Sequence, residues 1–207
     1  MALFCYLYLN SSIQYYNYSK NNDSQLKTYI VLLRGINVGG HKKVPMAELR
    51  KLLAEVGFIN VQTYIQSGNV IVGSILNNQN AVGFEIKKII SAHYGFETSV
   101  IVKTRAQFQT IFNKCPFEQS EKAKSYFILL NKIPDNEHIE EVRRISYENE
   151  EFFVINDCIY LYCKNGYGKA KFNMNTFERK LKVTATSRNY NTMVKLLSLS
   201  AEKDEFS

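Results

Sequence analysis

The stretch "VLLRGINVGGHKKVP", residues 31–45, places positive charge and glycine directly after an apolar run. Gly35 and Gly40 have the spacing of the two glycines in a phosphate-binding P-loop. His41 and Lys42 then stand where that motif requires a lysine and a hydroxyl side chain, so we reject a P-loop nucleoside triphosphatase. A looser anion-binding nest stays open, because glycine-rich backbone can direct several N–H groups at one anion.

We expect this loop to bind an anion with its cations, aided by the positive dipole end of a helix that begins near Pro45. Its candidate ligand-binding residues are Arg34, Gly35, Asn37, Gly39, Gly40, Lys42 and Lys43. The alternative interpretation is a solvated loop whose glycines only make a turn.

A second group of polar residues lies in "TYIQSGNV", residues 63–70. The glycine in Gln66-Ser67-Gly68-Asn69 favours a hairpin turn, and Gln66, Ser67 and Asn69 are candidate ligand-binding residues. We expect this hairpin at the sheet end opposite the exit of the first strand. On that expectation it does not adjoin the Arg34 loop within one half of the protein, and meets a loop of the other half instead.

The motif "GYGKAK", residues 166–171, begins like a dinucleotide-binding fingerprint, but Lys171 replaces the third glycine. Lys169 and Lys171 are candidate anion ligands. Residues 164–195 contain eight lysines and arginines and one acid, Glu178, so this segment carries the +7 net charge of the whole chain. Such asymmetry favours an anionic partner, and a solvated basic face is the alternative.

The motif "SRNYNTM", residues 187–193, predicts the start of the last helix, with Asn189 or Asn191 as its cap. Arg188 lies beside the positive end of that helix, where a cation is unfavourable. This position indicates either a bound anion or a salt bridge to a distant acid. Arg188, Asn189 and Asn191 complete the candidate ligand-binding set.

No motif for metal-assisted or nucleophilic catalysis is present in the sequence, and we predict no metal and no cofactor. Of the three histidines only His41 lies in a candidate loop, whereas His93 falls on the apolar face of a predicted helix as a core or rim residue. The cysteines have no CxxC spacing, which disfavours a zinc ribbon or a thioredoxin-like motif, and we expect four reduced, mostly buried thiols in a cytoplasmic protein. They are Cys5, Cys115, Cys158 and Cys163.

The elements that must position these residues follow the order β-α-β-β-α-β twice. We predict an α+β fold of two ferredoxin-like halves, with mainly antiparallel sheets and helices on one face. The predicted halves are residues 28–116 and 117–201, the second with a C-terminal helix. Residues 1–27 are predicted to form a poorly ordered extension and residues 202–207 a tail. No apolar run has the roughly 18 residues of a membrane span.

Five blocks of the sequence resemble the signature of a bacterial family known as domain of unknown function 1697. They are "LLRGINVGG", "VPMAELRKLL", "TYIQSGNV", "GYGKAK" and "TSRNYNTMVKL". The resemblance covers about Thr28 to Ala201, with "HKK" after the glycines and Tyr190 in place of an expected tryptophan as departures. The resemblance implies the predicted fold and suggests that these loops matter together. Because the family has no established activity, the resemblance does not indicate a reaction.

Three functions remain open. We favour binding of a small phosphorylated or nucleotide-like anion between the two halves, with the reaction unknown. A module for single-stranded nucleic acid would use Tyr160, Tyr162 and Tyr167 for stacking beside the basic segment. A scaffold or homodimer would use exposed sheet edges.

Overall fold

The computed structural model describes residues 26–201. These divide into two compact units, residues 26–105 with 199–201 and residues 106–198. The predicted extension over residues 1–27 lies outside the described residues apart from its last two, and the predicted tail and Cys5 lie outside them entirely. No helix within residues 26–201 is long and apolar enough to cross a bilayer.

The first unit contains four strands and two helices in the predicted order. They are β1 (Lys27–Leu33), α1 (Met46–Glu55), β2 (Ile59–Tyr64), β3 (Asn69–Ser74), α2 (Gln79–Tyr94) and β4 (Val100–Thr104). The sheet order is β2-β3-β1-β4, and β1 is antiparallel to both of its neighbours. Because β2 is also antiparallel to β3, β1 and β2 run in the same direction.

The core of this unit follows from the sequence pattern. The apolar run of β1 is buried, as a strand between two neighbours requires. Helix α1 buries Leu49 and Leu53, which lie one turn apart on one face. Helix α2 buries four residues at the same helical spacing, Val82, Ile86, Ile89 and Ile90. Each such side chain stabilises the fold by about 1.5–3 kcal/mol through burial.

The second unit repeats this order behind a connecting helix. Its elements, with that connection, are α3 (Arg105–Asn113), α4 (Gln119–Lys122), β5 (Tyr126–Leu130), α5 (Asn136–Arg143), β6 (Glu150–Ile155), β7 (Cys158–Cys163), a 3-10 turn (Tyr167–Lys169), α6 (Met174–Leu181), β8 (Ala185–Asn189) and α7 (Tyr190–Ala201). The sheet order is β6-β7-β5-β8, again antiparallel throughout. The predicted α+β fold with two ferredoxin-like halves is confirmed.

Apolar spacing in the sequence predicts helices over residues 136–146 and about 171–181, and both are shorter in the structure. The helix predicted from residue 171 begins at Met174, because the Asn173 side chain accepts a hydrogen bond from the Thr176 N–H and caps it there. The helix predicted to end at residue 146 ends at Arg143, where the Ile145 N–H bonds back to the Val142 carbonyl in a tighter turn.

The second unit also buries aromatic residues on the sheet face turned away from α5 and α6. Phe127 stacks on Phe112 with ring centroids 5.7 Å apart and meets Tyr160 edge-on at 5.6 Å. The Tyr160 hydroxyl donates to the Ile111 carbonyl at 2.8 Å, and the residue is 1% exposed. Burial raises the pKa of Tyr160 above its ordinary value of 10.

Tyr160→Phe gives a pH-dependent prediction. The unfolded tyrosine ionises near pH 10 while the folded one stays protonated, so its contribution is complete below pH 10 and is lost as the pH rises further. We expect the variant to be less stable by about 1 kcal/mol at neutral pH, because one buried hydrogen bond is gone. The deficit should shrink by about 1.4 kcal/mol per pH unit above pH 10. Urea unfolding at neutral and alkaline pH measures it, and a constant deficit would contradict the burial argument.

Candidate functional site

The glycine loop and the β2–β3 hairpin lie side by side in the first unit. The Leu33 N–H donates to the Gly68 carbonyl at 2.8 Å, and Leu32 pairs with Asn69 in the sheet. The expectation that Gln66 to Asn69 lie away from the Arg34 loop within one half is therefore wrong. The reason is the strand topology. Because β1 and β2 run in the same direction, the loop after β1 and the turn after β2 leave the sheet at the same end.

Asn37 ties these two segments together. Its Nδ2 donates to the carbonyls of Val44 and Gln66, both at 2.9 Å. Its Oδ1 accepts from the Val44 N–H at 2.8 Å. Asn37 has a φ of +55°, a left-handed conformation that asparagine tolerates better than most residues. This predicted ligand-binding residue thus uses its amide to shape the loop.

The glycines at 39 and 40 form the turn of a small hairpin. Val38 and His41 pair as an isolated bridge, and the His41 N–H donates to the Val38 carbonyl at 3.0 Å. Both glycines have positive φ, at +58° and +78°, as a two-residue hairpin turn of this kind requires. Gly39 and Gly40 therefore form a turn, and the exposed Lys42 and Lys43 follow it along the chain.

A third segment, residues 95–99, packs against the glycine loop. The Arg34 N–H donates to the Ser99 carbonyl at 3.0 Å, and the Thr98 hydroxyl donates to the Arg34 carbonyl at 2.6 Å. The Lys42 ammonium donates to the Glu97 carbonyl at 2.6 Å and lies 5.5 Å from the Phe96 ring centroid. Residues 34–45, 65–68 and 95–99 together are termed the loop site below.

Positive charge dominates the loop site. Lys42 and Lys43 are exposed, and Arg34 is half-buried. Two carboxylates near these cations pair with other residues: Glu97, within the loop site, with Lys87 at 2.6 Å, and Glu48, just after it in α1, with His93 at 2.8 Å. Within residues 26–201 no carboxylate forms an ion pair with Lys42 or Lys43.

The pairing of Glu48 with His93 was not predicted from the sequence. Glu48 lies in the first turn of α1 and His93 in the last turn of α2, 45 residues later. His93 is exposed at the rim of α2 and does not enter its apolar face. Burial, and then the charge of Glu48, raise the pKa of the adjoining Tyr94 to about 12.

The polar side chains of the hairpin turn differ in burial. Asn69 is fully buried, and its Nδ2 donates to the Tyr64 carbonyl at 3.1 Å and to the Ser67 hydroxyl at 2.9 Å. Gln66 and Ser67 are exposed at the tip, beside the Asn37 link. Together with the cations and exposed His41, these two residues are polar groups that the loop site can offer to a ligand.

In the second unit a carboxylate of the chain itself binds the backbone at the end of the "GYGKAK" segment. The Glu150 carboxylate accepts the N–H of Lys171, and it accepts the N–H of Phe172 at 2.7 Å. Lys169 and Lys171 are exposed and line a narrow pocket beside this carboxylate. The backbone of this segment therefore already binds an anionic group, one supplied from 21 residues earlier in the chain.

Arg188 is buried on β8, with 7% exposure. Its guanidinium donates to the Thr186 hydroxyl at 2.8 Å and to the Ser187 carbonyl at 2.7 Å, and burial lowers its pKa to about 10. It pairs with Phe127 in the sheet, whereas the segment holding Lys169 packs against the core on the opposite face. The structure thus does not bring Arg188 and Lys169 to one face of this sheet.

The last two candidate ligand-binding residues, Asn189 and Asn191, lie where β8 ends and α7 begins. The Asn189 side chain accepts the Thr192 N–H at 2.9 Å, which confirms its predicted capping role. Asn191 is exposed on the first turn of the helix. Within residues 26–201 no three His, Cys, Asp or Glu side chains gather in a way that would hold a metal ion.

The tyrosines named for base stacking have partners within the second unit. Tyr160 is buried, and Tyr162 lies 5.9 Å from the Phe117 ring. Tyr167 stacks on Tyr126 with centroids 4.3 Å apart. A nucleic-acid base would have to displace these contacts to stack here.

Comparisons with known proteins agree with this architecture. A family model described as "Protein of unknown function (DUF1697)" matches residues 26–160. A solved structure titled "The structure of conserved bacterial protein SP0830 from Streptococcus pneumoniae" is similar, with a TM-score of 0.70 and 25% sequence identity. The match covers 84% of this chain and 99% of that one. No curated protein matches this chain significantly.

Proposed function

The chain belongs to the DUF1697 family of proteins of unknown function, and on that premise we propose that its loop site binds a small phosphorylated anion. One observation carries the proposal: the hydrogen bonds from Asn37 to Gln66 and from Leu33 to Gly68 join the glycine loop and the hairpin turn into one polar surface. Exposed Lys42 and Lys43, with half-buried Arg34, give that surface its charge.

The chemistry favours phosphate over a single carboxylate. A phosphoryl group offers three acceptor oxygens and up to two negative charges, which matches several separated donors. Lysine ammonium groups bind it as point charges, and the Gln66 amide and Ser67 hydroxyl can donate to its remaining oxygens. The positive end of the ten-residue helix α1, which directly follows the loop, adds to the attraction.

The surrounding structure supports a loop that is held in one shape before a ligand arrives. The Asn37 side chain makes three hydrogen bonds, and Thr98 and Ser99 fix both backbone groups of Arg34. A site ordered in advance loses less conformational entropy on binding. The glycine turn then acts as a rigid support that presents Lys42 and Lys43.

The double variant Lys42→Ala/Lys43→Ala tests the proposal. With pyrophosphate at ten times a Kd of about 100 μM, we expect the wild-type melting temperature to rise by about 3–5 °C at constant ionic strength. The double variant should lose most of that rise. Lys51→Ala/Lys88→Ala, which removes the same charge from exposed helix positions of the same unit, should retain it.

Equal responses of the two double variants would overturn the proposal, as would no response of the wild-type chain to pyrophosphate or to a nucleoside diphosphate. Filter binding of single-stranded RNA across a salt series tests the nucleic-acid alternative. RNA retention that survives Lys42→Ala/Lys43→Ala would favour that alternative, because the charges responsible would then lie elsewhere.

A further inference from the structure

The outer edge of the second sheet can accept another strand. β6 is the terminal strand in the order β6-β7-β5-β8, and it pairs regularly with β7 from Glu150 to Ile155. Among the described residues its other side makes one isolated bridge, between Tyr147 and Glu150. Within residues 26–201 no strand lies beyond β6 in this sheet, so residues 151–155 present an open strand edge.

The register determines which backbone groups point outward. The Lys164 N–H donates to the Asn149 carbonyl at 2.9 Å, so these two residues form a hydrogen-bonded pair that extends the β6–β7 ladder. Such pairs alternate along an antiparallel ladder, so residues 151, 153 and 155 direct their N–H and C=O toward β7. Phe152 and Val154 direct theirs outward, on the side where Glu150 meets Tyr147.

Beyond the charges of Glu150 and Glu151 at its start, β6 lacks the usual protection against pairing. Natural edge strands carry lysine, proline or a bulge, and none of these interrupts β6. In contrast, β2, which ends the other sheet, has a register shift between Ile59 and Gln62. A groove of about 490 Å³ runs along β6, lined mostly by apolar side chains, and Phe153 in it is 39% exposed.

We propose that β6 pairs with β6 of a second copy of this chain, antiparallel about a twofold axis at Phe153. The outward N–H and C=O groups of Phe152 in one copy then bond to those of Val154 in the other copy. The twofold axis creates a second, equivalent pair, so the two copies share about four hydrogen bonds. Phe153 faces its own counterpart across the axis. Glu151 faces Ile155, and Glu150 faces Asn156, so this register puts no like charges directly opposite each other.

The self-matching apolar triplet Phe152-Phe153-Val154 favours a second copy over an unrelated peptide, because it pairs with itself in register. A six-residue edge is only about 20 Å long. Pairing of this length buries less than the roughly 1,200 Å² of a stable interface, so we expect a weak dimer with a Kd of about 10–100 μM. This inference is independent of the anion proposal.

Charge swaps at position 153 test the pairing. Sedimentation equilibrium from about 5 to about 500 μM should show the wild-type chain dimerise. Phe153→Lys and Phe153→Glu should each stay monomeric, because position 153 faces itself and like charges then meet. An equimolar mixture of the two should associate again, and Phe84→Lys, at a 65% exposed position on α2, should dimerise like the wild type.

Hydrogen exchange on the unaltered chain provides a test that needs no substitution. The outward amides of Phe152 and Val154 should exchange more slowly as concentration rises, while the inward amide of Phe153 should not change. A chain that stays monomeric at every concentration, or a mixture of the charge variants that fails to associate, would overturn the proposal.

Discussion

Gly68→Ala should lower the stability of the first unit by about 3 kcal/mol, because two costs combine at this position. Gly68 has a φ of +79°, which costs alanine about 1 kcal/mol. A Cβ there would also lie 2.7 Å from the Leu33 Cβ and 3.1 Å from the Leu33 carbonyl oxygen, so β1 and the hairpin must separate. We expect a drop of about 10 °C in melting temperature, measured by calorimetry.

Gly40→Ala is the matched control for this prediction. Its φ of +78° is the same within one degree, but a Cβ at Gly40 meets no atom within 4 Å. We expect Gly40→Ala to lower the free energy of unfolding by about 1 kcal/mol, the cost of a left-handed backbone at alanine alone. If the two alanine variants were equally stable, the close approach between the hairpin and β1 would not be a tight contact.

Asn37→Ala should be the second most damaging change, with a loss of about 3 kcal/mol confined to the loop. The substitution removes the hydrogen bonds to Val44 and Gln66, and it leaves the Val44 N–H, in a residue that is 1% exposed, without its acceptor. Alanine is also strained at a φ of +55°. Hydrogen exchange should show faster exchange for residues 34–45 with the remaining core unchanged.

Asn37→Gly separates the two contributions. Glycine adopts the left-handed backbone freely, so this variant loses only the hydrogen bonds and should be about 1 kcal/mol more stable than Asn37→Ala. Both variants should bind pyrophosphate more weakly than the wild type, because the loop is no longer fixed to the hairpin turn. Unchanged exchange at Val44 in Asn37→Gly would show that the amide does not hold the loop.

Much of the fold could be predicted from local sequence. The apolar run before Arg34 is typical of a buried strand and corresponds to β1. Pro45 and Gly57 suit the start and the stop of α1, and Asn156-Asp157 favours the hairpin turn between β6 and β7. These signals are short-range and depend on spacing alone. The position of the hairpin beside the glycine loop was also derivable, because a crossover through one helix makes β1 and β2 parallel.

Other features of the site could not be read from the sequence. Burial of Arg188 is one, since arginine is seldom buried, and the pairing with Phe127 that places it inside the sheet joins residues far apart in the chain. The contacts of Glu150 with the Lys171 backbone and of Glu48 with His93 join residues 21 and 45 positions apart. Such contacts depend on tertiary packing, which periodicity does not specify.

Backbone amide NMR during a pyrophosphate titration tests the central claim, that the glycine loop and the hairpin turn form one anion-binding surface. We expect saturable shifts at residues 34–45 and 65–68 together, with one common Kd. Shifts confined to residues 164–195, or no saturable shift in the first unit, would contradict it.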